Sequence, residues 1–256
     1  MNGPLAVVVA GLFGAVIGSF LNVCVYRLPT GASVVWPGSA CGSCGRSLAW
    51  FENVPVVSFL ALGGRCRTCR AAISFRYPLI ELVTAAMWAA AWWHYGPSPL
   101  LASRLVLGCA LIVLFAIDLE HHLLPNVITL PGIVIGFLFS LWGEPGWIGS
   151  LMGIAVGGGV LWAIAEGYYR LRHEEGLGMG DVKMLAMIGA FLGWPLTLVT
   201  LMMASFAGSM AGVALMASGR GGMKYALPFG TFLAMGAALA ATVGPDVLAW
   251  YLSFYR

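Results

Sequence analysis

The sequence has very little charge: only 9% of its 256 residues are Asp, Glu, Lys or Arg, whereas 60% are hydrophobic. Soluble globular domains are nearer half apolar and about a quarter charged. With a mean hydropathy of +0.91, the composition excludes an ordinary soluble domain and predicts an all-α polytopic membrane protein. The formal net charge of +3 says little about partners by itself.

The sequence also lacks a basic N-terminal segment and an internal repeat. Residues 1–10 contain no Lys or Arg, so the first apolar stretch is missing the charged region of a cleavable signal peptide. No long-period repeat or low-complexity tail is visible. The missing repeat argues against a secondary transporter, because the two halves of many transporters echo each other.

Eight apolar stretches separated by short connections predict about eight transmembrane helices. Most reach the ~20 residues that a helix needs to cross the hydrocarbon core. The sixth stretch is short and ends at Pro195, so it is either tilted or joined to its neighbour. The predicted spans are 4–26, 78–95, 99–118, 126–142, 147–169, 182–194, 196–217 and 227–252.

Basic residues are concentrated in three connections, and this predicts the orientation. Of the 13 Lys and Arg residues, 11 lie in 27–76, 170–183 and 218–226. With eight spans these connections share one side, which the excess of positive charge identifies as the cytoplasm; both termini then lie outside. The predicted regions are a first transmembrane helix (1–26), a cytoplasmic loop (27–77) and a transmembrane core (78–256).

The loop contains two Cys-x-x-Cys pairs separated by 21 residues. Together the pairs would supply the four thiolates of a tetrahedral zinc site, which is structural because it leaves no open coordination position. A zinc-ribbon-like loop is therefore predicted. Disulfides are disfavoured by a reducing cytoplasm, and a redox dithiol by the absence of room for a thioredoxin-like unit. The predicted ligands are Cys41, Cys44, Cys66 and Cys69, and the predicted turn residues are Gly42, Gly45, Gly63 and Gly64.

Two aspartates lie at the ends of apolar stretches. Asp118 ends the third predicted span, and Asp181 follows Gly178-Met179-Gly180 just before the sixth. A carboxylate at such a depth is costly and is a functional-site hypothesis by default. The alternatives are an interfacial polar group for Asp118 and a helix N-cap for Asp181.

The predicted orientation places both aspartates at the cytoplasmic face, where they would form an aspartyl dyad. Two neighbouring carboxyl groups share a proton, because both cannot ionise cheaply. The ionised group takes a proton from water, which attacks a scissile carbonyl, while the protonated group donates to the carbonyl oxygen. This pattern indicates protease chemistry.

These motifs resemble those of the type IV prepilin peptidases, the prepilin leader peptidase/N-methyltransferase family. Asp118 with Pro125 seven positions later resembles the first catalytic motif, and residues 178–183 resemble the GxGD motif shared with presenilin-like proteases. One departure is Gly42, because the family usually has proline after the first cysteine. Residues 18–23 and 26–29 resemble the family's opening motif. Residues 53–55 and 76–81 resemble its cytoplasmic loop and the exit from that loop.

The resemblance implies two reactions at the bacterial inner membrane. The first cleaves the leader of a prepilin or pseudopilin after a glycine at the cytoplasmic face. The second methylates the new N-terminal amine, usually of phenylalanine, with S-adenosylmethionine. The implied partners are prepilins or pseudopilins of type IV pili, type II secretion or DNA uptake, together with the lipid bilayer and no nucleic acid.

The resemblance also implies roles for individual residues. Asp118 and Asp181 become the catalytic pair, and the candidates for methyl transfer are Glu81, Asn22 and Arg27. Alternative interpretations are a charge at a helix start for Glu81 and structural polar groups at a span end for the other two. The residues of the supporting motif are Gly178, Gly180, Lys183 and Pro125.

Two alternative functions remain open. A proton-coupled transporter would use Asp118, Asp181 and Glu81 as relay groups. It leaves the cysteine loop unexplained and lacks the expected internal symmetry. A peptidase without methyl transfer is the second alternative, against which the intact loop and N-terminal motif argue by resemblance.

Overall fold

The computed structural model of the chain describes residues 3–173, 178–218 and 227–254. In these ranges it has nine α-helices and no β-strand, which confirms the all-α prediction. The chain forms two compact units, Met1–Leu101 and Ala102–Arg256. The helices are α1 (Pro4–Arg27), α2 (Val57–Ala61), α3 (Arg76–Tyr95), α4 (Pro99–His121), α5 (Asn126–Phe139), α6 (Gly146–Arg172), α7 (Met179–Ala217), α8 (Phe229–Thr242) and α9 (Gly244–Ser253).

Among the described residues, four helices are individually long and apolar enough to cross a membrane: α1, α4, α6 and α7. The pair α8 and α9 would make a fifth span, although a bend of 68° separates them. Helix α5 is apolar but only 14 residues long. The structure therefore confirms a multi-pass membrane protein but yields four or five such helices by this criterion, fewer than the eight predicted.

In the first unit, α1 packs closely against α3 through glycines. A Cβ atom on Gly14 would lie 2.7 Å from Trp88 Cβ, and one on Gly18 would lie 2.7 Å from Glu81 Cα. Small residues four apart share a helix face and permit such close approach. One turn after Gly18, the Asn22 side chain donates a hydrogen bond to the Tyr77 carbonyl at 3.0 Å. This packing brings the polar end of α1 to the start of α3.

In the second unit, α7 doubles back on itself at Gly193. This residue has non-helical dihedrals, φ 76° and ψ 166°. A Cβ atom on Gly157 would lie 2.5 Å from the Leu185 carbonyl oxygen and 3.1 Å from Thr197 Cγ2. A straight helix would separate residues 185 and 197 by about 18 Å. Helix α7 is therefore a hairpin, with its turn beside the break predicted at Pro195.

The first arm of the α7 hairpin, residues 179–192, forms the centre of the second unit. Its side chains from Val182 to Leu192 are almost all buried. Gly153 on α6 contacts Gly189 so closely that a Cβ atom would collide with its carbonyl oxygen. Ser150 Oγ donates to the Ala190 carbonyl at 2.9 Å, adding a polar tie between the same helices. The start of this buried arm carries Asp181.

The last predicted span, 227–252, is not one straight helix. Helix α8 ends at Thr242, and α9 begins at Gly244 after the 68° bend. A Cβ atom on Gly244 would lie 2.6 Å from Leu196 Cδ2, so α9 begins in close contact with the second arm of α7. Hydropathy alone could not locate the bend, because both segments are apolar.

Candidate functional site

Asp118 is buried in the last turn of α4 and is fixed by the start of α8. Its Oδ2 accepts a hydrogen bond from the Thr231 backbone N–H at 2.6 Å and another from the Thr231 hydroxyl at 3.1 Å. Only 4% of Asp118 is exposed. The first N–H groups of a helix lack intrahelical partners, so a carboxylate is well placed to accept from them.

Asp181 is buried in the first turn of α7, and the structure brings it to Asp118. The backbone N–H of Asp181 donates to the Gly178 carbonyl at 3.1 Å. Gly180, the residue before Asp181, packs against Leu124, and Leu124 packs in turn against Gly230 beside the Asp118 carboxylate, so the two aspartates lie around the same leucine. The structure therefore brings the two aspartates to the same helix ends, which is the arrangement that the predicted dyad needs.

Leu124 fills the space between two glycines at this site. A Cβ atom on Gly180 would lie 3.0 Å from Leu124 Cβ, and one on Gly230 would lie 2.9 Å from Leu124 Cδ1. The same Cβ on Gly230 would lie only 3.0 Å from Asp118 Oδ2. Glycine is therefore required at both helix starts for α7 and α8 to approach Leu124 and the aspartate.

The other residues of the supporting motif connect the starts of α5 and α7. Pro125 is the N-cap of α5, and its carbonyl accepts from the backbone N–H groups of Ile128 and Thr129. Lys183 Nζ donates to Asn126 Oδ1 at 3.0 Å. A Cβ atom on Gly178 would lie 3.4 Å from Asp181 Oδ2, so this glycine leaves room beside the carboxylate.

Three residues beside Asp118 belong to none of the motifs recognised in the sequence: Thr231, Gly230 and Leu124. Thr231 is 113 residues from Asp118 along the chain, and no spacing motif joins the two. One signal was available: Pro228, just after a connection predicted to be cytoplasmic, indicates a helix start on the aspartate side. That signal would have identified the segment but not the threonine that donates to Asp118.

The four predicted cysteines form one cluster in the first unit. Their Sγ atoms all lie within 4.8 Å of one another, and Cys41 Sγ is 3.8 Å from Cys69 Sγ. Four sulfurs bound at ~2.3 Å to a tetrahedral ion lie about 3.8 Å apart. The cluster therefore has the donors and the size to hold a metal ion.

Two turns of nearly identical backbone build this cluster. In the first, Gly45 N–H donates to the Cys41 carbonyl at 2.9 Å; in the second, Arg70 N–H donates to the Cys66 carbonyl at 3.0 Å. Gly45 and Arg70 take the same left-handed conformation, with φ of 70° and 58°. The predicted turn roles thus fit Gly45, whereas the matching position of the second turn is an arginine. Gly63 and Gly64 have positive φ in the connection before it, and Gly42 does not.

Backbone N–H groups favour the thiolate form of the first cysteine in each pair. Hydrogen bonds from the N–H groups of Cys44 and Ser43 lower the pKa of Cys41. Hydrogen bonds from the N–H groups of Cys69 and Thr68 lower the pKa of Cys66 to about 6. Thiolates are the forms that bind metal, so these N–H groups prepare the first cysteine of each pair for ligation. The pKa of Cys69, the second cysteine of the second pair, is raised instead, to about 11.

An ion pair between a partly exposed arginine and a buried glutamate, not predicted from the sequence, connects the first turn to the next segment. Arg46 donates from both terminal nitrogens to the Glu52 carboxylate, at 3.0 and 2.7 Å. The Ala49 N–H donates to the same carboxylate at 2.8 Å. These hydrogen bonds, with that from Arg46 the largest, hold the pKa of Glu52 below its usual range. Bidentate pairs of this kind are the strong ones.

The three methyl-transfer candidates line one cavity of about 480 Å³ in the first unit. Asn22 and Glu81 are buried there, and Glu81 Oε2 accepts from the Val56 N–H at 2.7 Å. Arg27 donates to the carbonyls of Ser33 and Gly38, at 2.9 and 3.1 Å, so it orders the loop. The structure thus brings these candidates together at one cavity.

Fold and sites together define a class: helical membrane proteins with a buried carboxyl pair at helix ends and a four-cysteine loop. Residues 12–95 match the bacterial Peptidase A24 N-terminal domain, and residues 105–213 match the Type IV leader peptidase family. The chain belongs to the Type IV leader peptidase family.

Curated relatives cover nearly the whole chain. A prepilin leader peptidase/N-methyltransferase of Pseudomonas aeruginosa is 35% identical over 98% of this chain and 95% of the relative. One of Burkholderia pseudomallei strain 1026b is 40% identical over 91% of this chain and 84% of the relative. One of Myxococcus xanthus is 41% identical over 87% and 67%. No solved structure matches the chain.

Proposed function

We propose that this chain is a bifunctional membrane enzyme that cleaves the leader peptide of prepilins or pseudopilins and N-methylates the new N-terminus. The proposal rests above all on the buried pair Asp118 and Asp181, brought together in a chain of this family. The names of the relatives support both reactions. They do not favour the transporter alternative.

In cleavage, Asp118 and Asp181 share one proton. The ionised carboxylate takes a proton from water as the water oxygen attacks the scissile carbonyl. The protonated carboxyl donates its proton to the carbonyl oxygen, and a later transfer protonates the leaving amine. The pair titrates as a unit, so neither residue is assigned as the sole base. Thr231 positions Asp118 through its two hydrogen bonds.

The membrane arrangement consistent with this reaction has eight crossings. The two arms of the α7 hairpin each count as one, the bent pair α8–α9 counts as one, and the others are α1, α3, α4, α5 and α6. The excess of basic residues in the odd-numbered connections then places the dyad and the cysteine loop on the cytoplasmic side of the inner membrane. The functional regions are helix 1 (1–26), the loop (27–77) and the peptidase core (78–256). The basic connection at 219–226 and residues 174–177 lie outside the described residues.

The ion proposed for the cysteine cluster is zinc. Cys41, Cys44, Cys66 and Cys69 would hold it, and it would supply structural stability without taking part in chemistry, because four thiolates close its coordination shell. A loop of about fifty residues has little apolar core of its own, so a bound metal ion would supply the stability that the loop needs to fold.

For methyl transfer we propose S-adenosylmethionine as the donor, with Glu81, Asn22 and Arg27 as the residues concerned. All three line the cavity of the first unit, whose volume suits a small molecule. Asn22 and Glu81 contribute buried side chains, and Arg27 holds the loop residue Gly38, which also lines the cavity.

The decisive experiment incubates the purified full-length chain with a prepilin peptide and S-adenosylmethionine and reads the products by mass. Cleavage with a methylated N-terminus supports both activities, whereas unmethylated product restricts the chain to peptidase activity. Asp118→Asn and Asp181→Asn should each abolish cleavage, while the matched control Asp246→Asn, at an exposed position of α9, should cleave normally. Substantial cleavage by either dyad variant would refute the assignment.

A further inference from the structure

Two buried side chains that carry oxygen acceptors, Asn22 and Glu81, line the cavity of the first unit, and neither forms an ion pair within the described residues. Its volume of about 480 Å³ falls within the range of small-molecule sites. Besides Glu81 and Asn22, its lining includes Ser19, Ser58, Phe59 and Tyr77.

The orientation of the Asn22 amide is fixed by two carbonyl groups. Its Nδ2 donates to the Gly18 carbonyl at 3.3 Å and to the Tyr77 carbonyl at 3.0 Å. Both partners are acceptors, so the amide cannot be flipped without losing both bonds. Its Oδ1 is buried and has no hydrogen-bond partner in the described part of the chain, and only 3% of the residue is exposed. Buried acceptors without a donor are rare, and each one needs a physical explanation.

Glu81 supplies a carboxylate beside the same cavity, with two neutral donors. The Val56 N–H donates to Oε2 at 2.7 Å, and the Ser19 hydroxyl is the second partner. No Lys, Arg or His side chain pairs with Glu81 among the described residues. Of the two arginines in the lining, Arg27 is occupied by the Ser33 and Gly38 carbonyls, and Arg67 lies over the Phe51 ring. The charge of Glu81 is therefore available to a ligand.

The backbone that contacts Glu81 is strained. Val56 has φ of 61° and ψ of −48°, a conformation that a β-branched residue rarely adopts. Such strain persists where the surroundings over-determine it, and it clusters at ligand sites. Here the strained residue is the one whose N–H holds the carboxylate in place.

We propose that Glu81 and the Oδ1 atom of Asn22 bind a primary ammonium group. An ammonium carries three N–H donors and a positive charge, which matches one carboxylate and one unpaired amide oxygen. The inference rests on the proposed function, in which two substrates carry such a group: the new N-terminus of the cleaved pilin and the α-amino group of the methyl donor. Their shared chemistry defines the site, and experiment separates the two sources.

The test measures how strongly the full-length protein prefers a ligand with a free amine over the same ligand with its amine blocked or removed. Affinities are compared for a peptide beginning with phenylalanine, with a free or an acetylated N-terminus, and for S-adenosylhomocysteine and its deaminated analogue. The wild type should prefer the free amine in one of these pairs by roughly tenfold or more, as expected for a charge-assisted hydrogen bond. Glu81→Gln, which retains an acceptor for the Val56 N–H, should abolish that preference.

If Glu81→Gln loses the preference for the free over the acetylated peptide, the site binds the pilin N-terminus. If it loses the preference for S-adenosylhomocysteine over the deaminated analogue, the site binds the amino group of the methyl donor. Either result supports the ammonium site. The matched control Glu166→Gln neutralises a carboxylate in α6, outside the cavity lining, and should keep the preference of the wild type. Asn22→Ala, which removes Oδ1, should reduce the preference severalfold. Undiminished preferences in Glu81→Gln, or no preference in the wild type, would overturn the inference.

Failure of this inference is distinguishable from failure of the proposed function. Methyl transfer by the wild type is measured separately, by mass, on cleaved peptide. If the wild type methylates and Glu81→Gln retains its amine preference, only the ammonium site is wrong. If the wild type cleaves but does not methylate, the proposed second activity is wrong, whatever the binding data show about the ammonium.

Discussion

Thr231 donates two hydrogen bonds to the same oxygen of Asp118, from its backbone N–H at 2.6 Å and its hydroxyl at 3.1 Å. One residue at the start of α8 thereby determines the position and direction of a carboxylate at the end of α4. This makes Thr231 a positioning residue of the proposed dyad, and its hydroxyl can be removed without touching the backbone donor.

Thr231→Val should lower kcat for leader cleavage and leave KM nearly unchanged. The loss of a hydrogen bond to a buried charged group costs about 1.5 kcal/mol or more, which corresponds to roughly a tenfold lower rate. Thr231→Ser, which keeps the hydroxyl, should restore most of the activity. Steady-state cleavage of a prepilin peptide measures both, and an unchanged kcat in the valine variant would contradict the positioning role.

Gly230→Ala should also impair cleavage, because its Cβ would lie 3.0 Å from Asp118 Oδ2 and 2.9 Å from Leu124 Cδ1. Either the carboxylate or the helix start must move. The control is Gly159→Ala in α6, where a Cβ would meet nothing within 4 Å. That change should be neutral or stabilise the protein by about 0.5–1 kcal/mol, as alanine does in a helix interior. Equal activities of the two variants would show that the close approach at Gly230 is not required.

Metal analysis of the purified chain should find about one zinc ion per chain. Cys44→Ser or Cys69→Ser should remove it, because three thiolates and a hydroxyl bind zinc far more weakly. Cys24→Ser, outside the cluster in α1, should retain the metal. The measurement is elemental analysis after gel filtration. A metal-free wild type whose loop still resists proteolysis would argue against a structural zinc site.

Glu52 should stabilise the loop in a pH-dependent way. Hydrogen bonding from Arg46 lowers the pKa of Glu52, so its contribution is present above the carboxyl's ordinary value of about 4.3 and is lost as the pH falls through the lower folded value. Glu52→Gln should therefore weaken amide protection around Ala49 at neutral pH, and the difference from wild type should disappear in acid. Hydrogen exchange at several pH values measures this. If the difference in amide protection between Glu52→Gln and wild type stayed the same at acidic pH, the Arg46–Glu52 pair would stabilise the loop through packing and not through charge.

Local patterns were sufficient for several parts of this fold. Pro195, which cannot continue a helix, predicted a break in the apolar run of 182–217, and the structure turns at Gly193. Gly14 and Gly18 are four residues apart and therefore share one face of α1, and α3 packs closely against that face. The bend at Val243 was not predicted, because hydropathy alone joins α8 and α9 into one apolar span; the local signal was Gly244-Pro245-Asp246, since a proline in the first turn and an acidic residue beside it mark a new helix start.

By itself, the sequence determined the residue types that chemistry needs and the periodicity that makes helices: two aspartates at the ends of apolar runs and two cysteine pairs in a polar loop. These signals are local, since a span end or a Cys-x-x-Cys turn involves neighbouring residues. Only the tertiary structure decided that Thr231 holds Asp118, that Leu124 separates two glycines, and that the Oδ1 of Asn22 lacks a partner beside Glu81. Those relationships join residues distant in the chain, and they depend on how closely helices pack.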